Sequence, residues 1–91
     1  MSPFLGGSAF GMAGQISDGY TLVTPVQLKK LSAQEMAQLQ FELERLAREL
    51  RAEPVALDDI PALQVRNRKL SRITSALLSV QATMTKRRQG G

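Results

Sequence analysis

The stretch SAQEMAQLQFELERLARELRAE, residues 32–53, decides the fold class because its apolar residues recur at alternating spacings of three and four. These residues are Met36, Leu39, Leu43, Leu46 and Leu50. The spacing is typical of a coiled-coil heptad and places all five on one face of a helix. Ser32 and Glu35 have the spacing of a capping box, which starts a helix. Pro54 disfavours helical geometry at Glu53, so the sequence predicts a helix over about 32–53.

A second apolar face follows after a short connection. Its heptad positions hold Leu63, Leu70, Ile73, Leu77, Val80 and Met84. Arg66 occupies one position of the same pattern and interrupts it. Asp58 or Asp59 can cap the start of this helix, and Pro61 is tolerated in a first turn. The sequence therefore predicts a second helix over about 60–87.

The short connection predicts that the two helices form an antiparallel coiled-coil hairpin. In the register that aligns the two faces, Leu46 lies opposite Leu70 and Leu43 lies opposite Ile73. We call the predicted contact residues the hairpin seam: Met36, Leu39, Leu43, Leu46, Leu50, Leu63, Leu70, Ile73, Leu77 and Val80. For Arg66 two roles are open. Its stem can cover Leu50 while its charge reaches water, or its charge can fix the register or the partner.

The first 24 residues differ in composition from the rest, because five of the seven glycines lie within the first 19 positions. Such a segment predicts a flexible or extended N-terminal arm over 1–24, followed by the helical hairpin over 25–88 and a disordered tail over 89–91. The arm carries the spaced aromatic residues Phe4, Phe10 and Tyr20, which can become ordered on a partner's surface. Thr24 and Pro25 can start a short helix before the first long one.

Three apolar residues of the predicted helices fall outside the hairpin seam. Phe41 lies opposite the seam of its own helix, and Leu78 and Val65 lie outside the seam positions of the second helix. Small residues that would let another helix approach accompany them: Ala33, Ala37, Ser71, Ser75, Ser79 and Ala82. A two-helix hairpin is marginally stable alone. We therefore expect a bundle of three or more helices, formed by self-association or with other protein subunits.

The last third of the chain is strongly basic, since residues 60–91 contain seven basic residues and no acidic one. Arg68, Lys69 and Arg72 are predicted to form one compact outward patch. The patch is open to four interpretations: solvated charge, contact with an acidic protein, nucleic-acid binding, or contact with a membrane surface. The nucleic-acid interpretation would use Arg66, Arg68, Lys69, Arg72, Lys86, Arg87 and Arg88. It lacks the interleaved aromatic residues that stack on bases.

The composition argues against most catalytic chemistry, because the 91 residues contain no Cys and no His. We expect no catalytic residues, no cofactor and no metal site. No apolar run is long enough for a membrane span, and no signal peptide is recognisable, so an intracellular location, cytoplasmic or nuclear, is expected. The predicted function is a non-enzymatic interaction subunit, a scaffold or adaptor in a helical coiled-coil assembly. The alternative is a small basic nucleic-acid-binding regulator.

Overall fold

The computed structural model describes residue 4 and residues 7–89. This part of the chain forms four α-helices: α1 (Ala9–Asp18), α2 (Pro25–Lys29), α3 (Ala33–Ala52) and α4 (Ile60–Gln89). It contains no β-strand, and the helices pack against one another. The predicted all-α class is thereby confirmed. Of the predicted tail, residues 90 and 91 lie outside the described residues, as do residues 1–3, 5 and 6 of the predicted arm.

The ends of α3 and α4 follow from local chemistry that the sequence shows. The Ser32 hydroxyl accepts a hydrogen bond from the Glu35 N–H (3.1 Å), and the Glu35 carboxylate accepts one from the Ser32 N–H (2.8 Å). Glu53 is extended, with φ −69° and ψ 122°, as a residue before proline must be. Of the two aspartates that can cap α4, Asp59 does so, since its carboxylate accepts from the Ala62 N–H at 3.2 Å.

The short helix α2 lies between the N-terminal part and α3. The Thr24 hydroxyl and the Gln27 side chain form a second capping box, and Pro25 occupies the first turn. Near the other end of the chain, the Arg87 guanidinium donates to the carbonyl of Leu28 at 3.1 Å. The C-terminal end of α4 therefore lies beside the segment that precedes α3. Since a short loop joins α3 to the start of α4, the two long helices run in opposite directions.

Helix α1 corrects the prediction of a flexible or extended arm over residues 9–18. The Ser8 hydroxyl caps its start by accepting from the Gly11 N–H at 3.0 Å. At its end Gly19 has a left-handed conformation (φ 83°), and the N–H groups of Gly19 and Tyr20 bond to the carbonyls of Ile16 and Gln15. This arrangement is a Schellman motif, which glycine favours because it has no Cβ. Glycine thus terminates a helix here.

Tertiary burial explains why α1 forms despite two internal glycines. Gly11 and Gly14 each cost about 1 kcal/mol of helix propensity relative to alanine. Met12 and Ile16 are fully buried against the rest of the protein, and each such side chain contributes about 1.5–3 kcal/mol. Helix α1 packs against both α3 and α4. Helix α1 of the same chain thus adds a third helix to the two long ones, and association with further subunits remains a prediction.

One apolar core joins the helices. Within the hairpin seam, Met36, Leu39, Leu43, Ile73 and Val80 are fully buried, and Leu46, Leu50, Leu70 and Leu77 are partly buried against the same core. Leu63 is half-buried near the start of α4. Phe4, predicted to contact a partner, packs against this core from the N-terminal side. The pairing of the seam residues in layers remains a prediction.

Candidate protein-interaction surfaces

The predicted partner-binding residues other than Phe4 lie at two depressions and at one exposed position on α4. Phe10 and Phe41 border one groove between α1 and α3. Tyr20 lies with Arg68, Lys69 and Arg72 around a second depression, between the end of α1 and α4. Leu78 borders neither of these depressions and is exposed on α4. Aromatic residues from the predicted arm thus meet residues of both long helices.

The first site, which we call the aromatic groove, has a volume of about 400 Å³. It is lined by Ala9, Phe10, Gln34, Ala37, Gln38, Phe41 and Glu42. Phe10 is 67% exposed and Phe41 is 57% exposed, although both lie on well-formed helices. The small side chains of Ala9 and Ala37 leave space between the two helices, and the two glutamines and the glutamate supply polar groups. The groove therefore combines two apolar rings with a polar edge.

Arg45 holds the Phe10 side of the groove in place. Its guanidinium lies over the Phe10 ring, 5.3 Å from the ring centroid, which is the geometry of a cation–π contact. The same group forms an ion pair with Glu42 (2.6 Å) and a longer one with Glu49 (3.9 Å). Because Glu42 and Glu49 both form ion pairs with Arg45, its guanidinium is positioned next to the Phe10 ring. The sequence suggested neither this contact nor the proximity of Phe10 to α3.

The second site, which we call the basic notch, has a volume of about 290 Å³. It is lined by Asp18, Tyr20, Val65, Arg68, Lys69 and Arg72. The Arg72 guanidinium donates to the carbonyl of Ser17 at 3.0 Å, and the Lys69 ammonium lies 3.6 Å from the Asp18 carboxylate. Arg68, Lys69 and Arg72 thus line one depression, and two of them, Lys69 and Arg72, also contact the end of α1. That this patch binds a partner remains a prediction.

Three cations of α4 contact the C-terminal ends of the two short helices, α1 and α2. Arg72 and Lys69 contact the end of α1, while Arg87 donates to the Leu28 and Lys29 carbonyls at the end of α2. The last carbonyls of a helix lack partners within it and carry a partial negative charge, so cations there are favourable. Three of the seven basic residues of α4 therefore have partners at the ends of α1 and α2. The sequence of α4 alone does not show that its cations contact the ends of α1 and α2.

The small residues on α4 lie opposite the segment that connects α1 to α2 in the same chain. Ser71, Ser75 and Ser79 line a depression of about 240 Å³ whose other wall is the α1–α2 segment at Thr21, Leu22 and Val23. The sequence predicted that small residues here allow a close approach by another helix. The neighbouring segment is instead an irregular connection of the same chain. It brings Val23 against the core.

Arg66 is partly buried, as its place in the apolar pattern suggested. Its Nε atom is buried and has no hydrogen-bond partner among the described residues. Both roles considered for Arg66, covering an apolar neighbour or fixing register, stay predictions.

The described residues contain no cluster of three or more Asp, Glu, Cys or His side chains arranged to hold a metal ion. None of the helices they form has the length and apolar character needed to cross a membrane. In comparisons with protein-family models, with curated proteins and with solved structures, nothing matches this chain.

Proposed function

We propose that this protein is a non-enzymatic interaction subunit that docks an apolar helical segment of a partner protein in the aromatic groove. The observation that carries the proposal is the pair of rings, Phe10 and Phe41. They come from two different helices, are each more than half exposed, and border the same depression. One exposed aromatic residue is ordinary surface, whereas two that share a groove form an apolar contact site.

The energetics of the groove favour a protein partner. Each aromatic ring that becomes covered removes apolar surface from water, at about 25 cal/mol per Å². Aromatic residues at the centre of an interface commonly carry much of its binding energy, and polar residues at the edge exclude water. Gln34, Gln38 and Glu42 occupy such edge positions. Their side chains supply donors and acceptors for a partner's polar groups.

A helix is the partner element that the groove supports best. The groove runs between α1 and α3, and an amphipathic helix can lay its apolar face between two such helices. Phe10 is already held by Arg45, so little ordering is needed on this side when a partner binds. Docking would add a further helix to the bundle that α1, α3 and α4 form, which is the larger helical assembly expected from the sequence.

Site-specific photocrosslinking tests the proposal. We would replace Phe41 by benzoylphenylalanine in the full chain and irradiate it in an extract of the source cells. The expected result is a discrete covalent adduct with a partner protein, because position 41 borders the groove. The matched control carries the same photoreactive group at Arg48, which is exposed on α3 and does not line the groove.

Two results would contradict the proposal. One is that no adduct forms from position 41, and the other is that positions 41 and 48 give the same adducts in the same yield. A Phe41→Asp variant provides a further check. It should keep its helical circular dichroism because the side chain is exposed, and it should lose the partner.

The nucleic-acid alternative is tested by its salt dependence. A protein that neutralises several phosphates binds much more weakly as salt rises from about 50 to 200 mM. Three of the seven basic residues considered for this role already contact the ends of α1 and α2. We therefore expect weak binding to duplex DNA or RNA at every salt concentration, measured by fluorescence anisotropy. Tight binding with a steep salt slope would favour the alternative.

A further inference from the structure

We propose that two copies of this chain pair through the basic notch of one and the α3–α4 loop of the other. The loop, residues 53–59, carries Glu53, Asp58 and Asp59 and no basic residue. Leu57 within it is 88% exposed, and Ile60 at the start of α4 is also exposed. The loop thus presents an acidic and apolar segment to solvent, and the chemistry of the notch is complementary to it.

The notch offers the opposite charge and its own apolar groups. Its three cations, Arg68, Lys69 and Arg72, outnumber its one acid, Asp18. Arg68 is exposed and forms no ion pair with any described residue. The Tyr20 ring is 82% exposed beside it, and Val65 is half exposed. A segment with carboxylates next to Leu and Ile side chains would pair with both the free cation and the apolar walls.

The chain's own loop does not fill its own notch. None of the ion pairs among the described residues joins Asp58 or Asp59 to the notch cations, and the Asp59 carboxylate instead caps α4. Along α4, Arg68 lies eight residues beyond Ile60, about 12 Å at the helical rise per residue. The loop and the notch are thus neighbouring surfaces on the same end of the molecule, and each remains available to a second copy.

Neighbouring complementary surfaces suit a two-fold symmetric pair. In such a pair the loop of each copy meets the notch of the other, so every contact occurs twice. The segments involved are short, and we expect an interface smaller than the standard size and a dissociation constant of about 10 µM or weaker. This pairing uses neither Phe10 nor Phe41. It is therefore independent of the aromatic groove and of the function proposed for it.

Sedimentation equilibrium of the full chain, over about 1 µM to 1 mM, tests the pairing. The wild-type chain should shift from monomer to dimer within this range. Arg68→Glu and Asp58→Arg should each weaken the dimer by about tenfold or more, because each places like charges together. The double variant Arg68→Glu/Asp58→Arg restores an opposite pair and should recover the dimer.

Two controls separate this contact from other causes of association. Lys86→Glu makes the same charge change at an exposed position of α4 outside the notch, and it should leave the dimer unchanged. Phe41→Asp disrupts the aromatic groove and should also leave it unchanged. Circular dichroism of each variant verifies that the helices are retained.

Several results would overturn the inference. These are a monomer throughout the concentration range, a dimer that is insensitive to Arg68→Glu, and equal weakening by Lys86→Glu. Failure of the double variant to recover the dimer would show that the loop is not the segment that fills the notch. An acidic segment of a different protein would then be the occupant to test. A dimer lost in Phe41→Asp would assign self-association to the aromatic groove instead.

Discussion

At the scale of single residues, Gly19 and Arg72 together end α1. Gly19 has a φ of 83°, and a Cβ built on it would lie 2.8 Å from the Arg72 Cζ atom. Arg72 in turn donates to the carbonyl of Ser17. The backbone conformation at this position therefore disfavours a side chain, and a Cβ would also require the Arg72 guanidinium to shift.

We predict that Gly19→Ala lowers the free energy of unfolding by about 1–2 kcal/mol, because an L-residue resists the left-handed conformation and Arg72 must move. The matched variant is Gly14→Ala, since Gly14 lies within α1 and a Cβ there would meet no atom within 4 Å. It should raise the same free energy by about 0.5–1 kcal/mol. Urea denaturation followed by circular dichroism measures both. Changes of the same sign would contradict the assigned roles.

The Arg72 contact leads to a second prediction. Replacing Arg72 by Met removes the hydrogen bond to the Ser17 carbonyl and the charge at the end of α1, while keeping much of the apolar stem. We expect a loss of about 1–2 kcal/mol in the free energy of unfolding. Arg68→Met makes the same chemical change four residues from Arg72, at an exposed side chain that forms no ion pair with a described residue, and should stay within about 0.5 kcal/mol of wild type. Equal losses in the two variants would show that Arg72 has no special role.

At the scale of helices, the starts of α2 and α3 follow from local sequence signals, whereas α1 depends on tertiary packing. The Ser32 and Glu35 capping box and the Thr24–Pro25 start are local, and the sequence predicted both. Helix α1 was not predicted, because its glycines lower helix propensity. Its Ser8 cap and the i, i+4 pair Met12 and Ile16 are the local signals that indicate a helix here. What makes α1 stable is its burial between α3 and α4.

Burial of α1 predicts a large effect of Ile16→Ala. Ile16 is fully buried, and we expect a loss of about 2–4 kcal/mol in the free energy of unfolding from the missing contacts and the cavity. Phe10→Ala on the same helix removes a larger but exposed side chain and should cost less than about 1 kcal/mol. Chemical denaturation of both variants measures these two losses in the free energy of unfolding. An unchanged stability of Ile16→Ala would mean that residues 9–18 behave as the flexible arm predicted from composition.

At the scale of the whole molecule, one core connects the helices. Met12 and Ile16 from α1, Leu39 and Leu43 from α3, and Ile73 from α4 belong to the same buried cluster. A single-domain protein with one shared core is expected to unfold in one cooperative transition. The contacts of Arg72 and Arg87 with the ends of α1 and α2 couple the short helices to the longest one.

Cooperativity can be measured with the protein's own chromophore. Tyr20 is the single tyrosine and the chain has no tryptophan, so tyrosine fluorescence reports on the end of α1 alone. We predict that the urea midpoint seen by Tyr20 fluorescence coincides with the midpoint seen by far-ultraviolet circular dichroism, which is dominated by α3 and α4. A fluorescence transition at lower urea would show that α1 detaches before the long helices unfold.

The sequence by itself determined the two long helices and most of the apolar residues that they bury. This succeeded because a heptad pattern, a capping box and a proline are local signals, and 20 to 30 residues of periodic pattern outweigh individual exceptions. It also singled out Phe41 and the basic residues of α4 as exceptional. Whether Phe41 binds a partner remains a prediction.

Only the tertiary structure decided what lies against the two helices. A short glycine-containing helix is stable in one packing arrangement and unstable alone, so the residues of α1 do not by themselves decide whether it forms. The same holds for charge. The sequence indicates only that Arg72 and Arg87 are surface cations, whereas the structure shows that they donate to carbonyls at the ends of α1 and α2. Likewise Phe10 and Phe41, 31 positions apart in the sequence, share a groove because α1 packs on α3. Long-range contacts depend on how the helices assemble, and no local pattern encodes that arrangement.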